Sequence, residues 1–125
     1  MPDGARAPRE KRNRITRSGD FDSIYRRGRS AAGRHLVVYA FDRGEGDAAR
    51  LGLSVGKRVG GAVERNRVKR VLREEFARIQ GELQIGVDYV VIARPGVHEY
   101  IEERGAHALG ERLQELTERV MKAAA

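Results

Sequence analysis

A chain of 125 residues with 40% apolar content is long enough for one domain with one modest core. It has no cysteine, which excludes a disulfide framework, a thiolate zinc site and a cysteine nucleophile. No stretch approaches the roughly 20 apolar residues of a membrane span. The net charge of +7 lies in two blocks, +6 over residues 1–34 and +6 over 57–73, against −1 over 35–56 and −4 over 74–125. Segregated positive charge predicts a surface with a direction and a polyanionic partner, and the charged N-terminus lacks the apolar region of a signal peptide. A soluble, cytoplasmic protein is expected.

Residues 1–13, MPDGARAPREKRN, carry Pro, Gly and charge without apolar periodicity and read as a flexible basic arm ahead of a single domain over 14–125. A short helix follows, with Ser18 or Asp20 as its cap and Gly28 as its end. Phe21, Ile24 and Tyr25 share one face at i, i+3, i+4, while Arg26, Arg27 and Arg29 cluster at the helix end. Core packing is the simplest role for the two rings, although rings among arginines are also what single-stranded nucleic acid stacks on.

Residues 34–41, RHLVVYAF, read as a strand, 42–49 as a polar glycine-rich turn, and 50–55, RLGLSV, as the returning strand of an antiparallel hairpin. Tyr39 is in phase with Val37 and Phe41 but opposite Val38 and Ala40, so it faces either the core or a concave surface. GKRVGGA at 56–62 fails as a phosphate loop: only three residues separate Gly52 from Gly56, and Arg58 follows Lys57 where Ser or Thr is needed. It reads instead as a glycine-permitted bend that aims Lys57 and Arg58 toward the next helix.

That helix spans 63–79, VERNRVKRVLREEFARI. At about 100° per residue Val68, Leu72, Phe76 and Ile79 fall on one face with Val71 at its edge. Arg65, Lys69 and Arg73 form a second row, and Asn66 with Arg70 a third. Solvated helix faces usually alternate sign at i, i+4, whereas these rows place like charges at the repelling spacing. The predominance of arginine suits bidentate grasp of phosphate. Beyond it, 86–93, GVDYVVIA, is a nearly continuous apolar run that reads as a buried strand. From about 99 to 121, Leu109, Leu113, Leu116 and Val120 mark one long amphipathic helix.

Catalytic constellations are missing. His35, His98 and His107 are scattered without zinc spacing, no serine sits in a nucleophile elbow, and Glu74 and Glu75 diverge by about 100° on their helix. Asp20, Asp22 and Asp42 are the only carboxylates near the basic blocks that could hold a nuclease's metal. A helix-turn-helix pattern for reading DNA is also missing.

The stretch GLSVGKRVGGAVERNRVKRVLREEF at 52–76 resembles the signature region of the bacterial ribonuclease P protein subunit, with DFDSIYRRGRSAAGRHLVVYAF at 20–41 and DYVVIARPG at 88–96 matching in the same order. The resemblance implies an α/β (α+β) two-layer sandwich, a small mixed sheet with helices and a left-handed βαβ crossover through the RNR helix. It implies a protein component of a ribonucleoprotein endoribonuclease, in which a catalytic RNA removes the 5′ leader of precursor tRNA with Mg2+ bound mainly by the RNA. Carried over by position, Arg65, Asn66, Arg67, Lys69, Arg70 and Arg73 would bind the RNA subunit, extended by Lys57 and Arg58, and Phe21, Tyr25 and Tyr39 would bind the leader. No catalytic or metal-ligating residue is implied in the protein. Two departures are Tyr25, where Phe is common, and the long arm; the last helix matches only in character. A structural RNA-binding protein of ribosomal type is the alternative reading.

Overall fold

The computed structural model describes residue 24, residues 28–44, residue 46 and residues 48–122. They form β1 (Arg29–Ala32), β2 (Leu36–Asp42), β3 (Arg50–Val55), α1 (Ala62–Ile79), β4 (Val87–Ala93), α2 (Val97–Arg104) and α3 (Ala106–Lys122), with 3-10 turns at Lys57–Val59 and Gln80–Glu82. The strands lie in the order β1-β2-β4-β3. β4 runs antiparallel to β2 and parallel to β3, so α1 is the crossover between two parallel neighbours.

This topology corrects the expected hairpin. Among the described residues β2 pairs with β1 and β4, and β3 pairs with β4 alone. The reason lies in β4, whose VDYVVIA is buried at every position but Ile92 and therefore takes the place that has neighbours on both sides. The hairpin that does form joins β1 to β2 through Gly33, whose amide donates to Leu36 O at 2.8 Å. β1 escapes sequence reading because RSAA has no apolar run, only alternating half-buried and exposed positions.

Leu36, Val38 and Ala40 of β2, Leu51 and Val55 of β3, and Val87, Tyr89, Val91 and Ala93 of β4 join one core with Val68, Val71, Leu72, Phe76 and Ile79 of α1 and Leu109, Leu113, Leu116 and Val120 of α3. All five apolar positions expected to line the inner face of α1 are buried. The single C-terminal helix is corrected to two, broken at Gly105, where φ is +93°. Only glycine adopts that conformation without cost; its amide closes α2 on Ile101 O at 2.8 Å, and the turn lets Ile101 and Leu109 enter the same core.

The other sheet face carries a second, smaller cluster, in which buried Ile24 and Val90 pack with partly buried Tyr39, Phe41 and Ile92. Gly28 permits this approach, since a Cβ there would lie 2.5 Å from Ile24 O and 2.6 Å from Ala40 O. At the end of this face Asp88, 2% exposed, accepts from Arg50 Nε at 2.8 Å and Nη2 at 2.7 Å, and also from Arg43 Nη1. Arg43 Nη2 donates to Ala48 O at 2.8 Å, which clamps the β2–β3 connection onto β4.

Candidate nucleic-acid interface

The inner face of α1 is anchored in the core, and this sets where its polar residues point. Arg65, Lys69 and Arg73 flank the buried stripe and are half-buried, whereas Asn66 and Arg70 stand exposed on the crest with Val63. Arg67 is two residues from both Arg65 and Lys69, about 160° round the helix from each, and lies on the opposite flank. There it donates through Nη1 to Glu102 Oε2 of α2. The sequence rows therefore resolve into one flank and one crest, with Arg67 paired to α2 on the far side.

Electrostatically Arg65, Lys69 and Arg70 stand apart from Arg67. Among the described residues Arg65, Lys69 and Arg70 have no carboxylate within ion-pair distance, and neither do Lys57 and Arg58. The Arg65 Nε atom is buried with no hydrogen-bond partner, a donor whose burial is uncompensated in the isolated protein. Lys57 and Arg58 are exposed because Val59, the third residue of their 3-10 turn, is 5% exposed and plugs into the core. Val59 N closes the turn on Gly56 O at 3.1 Å.

On the second sheet face Tyr39 sits half-buried beside Ile24, with Phe41 and Ile92. Tyr39, read as facing either the core or a concave surface, thus lies on the second sheet face, away from the main core. Phe21 and Tyr25 lie outside the described residues. Phe41 shares the two-residue phase of Tyr39 along β2, and Ile92 reaches the same face through strand pairing, with Val37 opposite Ile92 and Tyr39 opposite Val90.

Of the histidines, His35 and His107 remain apart from these surfaces, while His98 borders the Arg67–Glu102 pair. His35 stacks on Tyr100 with ring centroids 4.6 Å apart, and burial, aided by the charge of Arg34, holds its pKa below the usual value. His107 is exposed beside Glu75 and Arg78, and His98 Nε2 lies 3.8 Å from Glu102 Oε2. A cavity of about 290 Å³ between Leu83, Tyr89, Thr117 and Met121 contains none of the candidate residues. Among the described residues no three acidic, histidine or cysteine side chains converge as a metal site, and no helix is long and apolar enough to cross a membrane.

The ribonuclease P family model matches residues 10–120. The chain belongs to the ribonuclease P protein family. The ribonuclease P protein component of Brevibacillus brevis is 43% identical over 102 residues, 78% of this chain and 80% of that protein. The component from Bacillus cereus is 41% identical over 85 residues, 68% of this chain and 74% of its own. Among solved structures, a mutant RNase P protein of Staphylococcus aureus aligns at a TM-score of 0.77 and 35% identity, covering 99% of this chain and 98% of its own. The RNase P protein of Thermotoga maritima gives 0.77 at 34% identity, covering 86% and 96%. The mixed α+β fold and four-stranded sheet are thus shared with ribonuclease P proteins.

Proposed function

We propose that this family member works in the cytoplasm as the protein subunit of ribonuclease P, the ribonucleoprotein endoribonuclease of tRNA processing. In this reading Arg65, Asn66, Lys69, Arg70 and Arg73 of α1, with Arg67 at its edge, bind the catalytic RNA, and Lys57 and Arg58 continue that surface. The single-stranded 5′ leader of precursor tRNA lies on the second sheet face over Tyr39, with Phe21 and Tyr25. The observation that carries the reading is the pair Arg65 and Lys69, which no carboxylate of the described residues neutralises: like charges at i, i+4 repel, and phosphates relieve that repulsion through charge-assisted hydrogen bonds.

The protein then acts by lowering the repulsion between two polyanions. The reading places no resident magnesium on the protein. The Mg2+ ions are assigned to the RNA, and the protein raises their occupancy by neutralising nearby phosphates and holding the leader. The test is cleavage of a precursor tRNA by a bacterial ribonuclease P RNA at low magnesium, with and without the protein. A protein-dependent gain, with the protein inert alone, supports the reading. Tight RNA binding without any gain overturns it and leaves a structural RNA binder.

A further inference from the structure

Arg67 differs from Arg65, Lys69 and Arg70 in having its charge already engaged by a carboxylate of a different helix. Glu102 of α2 accepts from its Nη1, while the side chains are 38% and 52% exposed. An exposed pair of this kind braces two helices only weakly, within about 1 kcal/mol. The inner faces of α1 and α2 are already joined in the core by Val68, Leu72, Val97 and Ile101. What the pair does change is charge: it cancels one guanidinium at the border of a surface built for phosphate.

A carboxylate oxygen on a guanidinium nitrogen makes the charge-assisted contact that a phosphate oxygen would make. We infer that Glu102 is an intramolecular stand-in for RNA phosphate, which incoming RNA must displace from Arg67. The inference rests on the proposed role of α1. Its consequence is selectivity: a loosely fitting polyanion gains Arg67 only by leaving Glu102 beside its own phosphates, whereas a well-fitted RNA offsets that repulsion with the rest of the surface. His98, 3.8 Å from the same carboxylate oxygen, gives the displaced Glu102 a place to go on its own helix.

The experiment is a double-mutant cycle on binding of a bacterial ribonuclease P RNA, with E102Q, R67Q and the double variant of the full chain. E102Q should tighten RNA binding roughly two- to fivefold at low salt, the range of an exposed ion pair, and that gain should vanish in the R67Q background. Two results overturn the inference: an equal gain from E102Q with and without Arg67, which makes Glu102 a distant repulsive charge, or weaker binding by E102Q, which makes it a support for Arg67. A K69Q/R70Q variant separates this from failure of the parent reading. If that variant binds RNA as the wild type does, α1 is not the RNA surface, whatever the cycle gives.

Discussion

Gly28 is where the second sheet face can be broken by a single methyl group. The added Cβ of Gly28→Ala would stand 2.5 Å from Ile24 O and 2.6 Å from Ala40 O. Both are backbone atoms, so no rotamer change relieves either contact. The molecule has two responses. It can keep the segment docked and absorb the overpacking, at about 1–3 kcal/mol. Alternatively it can let the segment lift, exposing Ile24, which is 1% exposed, at about 1.5–3 kcal/mol for its burial. Because the smaller loss prevails, destabilisation should fall near 1–3 kcal/mol, a drop in urea midpoint of roughly 0.7–2 M for a slope of about 1.5 kcal/mol/M. Gly81→Ala is the control, since a Cβ there meets nothing within 4 Å and its φ is not positive. A Gly28→Ala midpoint equivalent to less than about 0.5 kcal/mol from wild type would refute the packing argument. On the proposed reading, lifting of the segment should weaken leader-dependent binding of precursor tRNA and leave the affinity for the catalytic RNA unchanged.

Asp88→Asn removes the buried carboxylate charge that Arg43 and Arg50 share under the β2–β3 connection. A loss of about 1.5–3 kcal/mol is expected in urea unfolding, the range of hydrogen bonds to a charged group, and a loss under 1 kcal/mol would mean that the carboxylate's charge contributes little there. His35 gives a pH dependence whose sign follows from its lowered pKa: below about pH 6.5 the unfolded chain binds the proton that the folded one resists, so stability falls as pH falls. The His35→Gln variant should flatten that limb of a stability profile between pH 7 and 5, and an unchanged limb would assign it to other groups. If about five cations each neutralise a phosphate, the logarithm of RNA affinity should fall against log salt with a slope near −3.5 to −4.5; a slope near zero would contradict phosphate contact.

Periodicity carries most of what could be read without the fold. The stripe Val68, Val71, Leu72, Phe76 and Ile79 fixes which side of α1 is buried, because 3.6 residues per turn leaves no other common face, and the basic rows follow from the same geometry. The apolar run of β4 likewise predicts burial, and Leu109 to Val120 predict the inner face of α3. Strand neighbours are different: β2 and β3 look like a hairpin by adjacency, and only competition for a partner apolar on both sides separates them. The break at Gly105 was hidden because glycine tolerates a helix interior as well as a left-handed turn.

Pairing between charges distant in sequence is the part that tertiary structure alone decided. Arg67 and Glu102 stand 35 positions apart, and Asp88 meets Arg43 and Arg50 from across 45 and 38. Local sequence determines which face a side chain occupies, since that is backbone geometry. Which of those side chains keep a free charge for RNA depends on what the rest of the chain packs beside them.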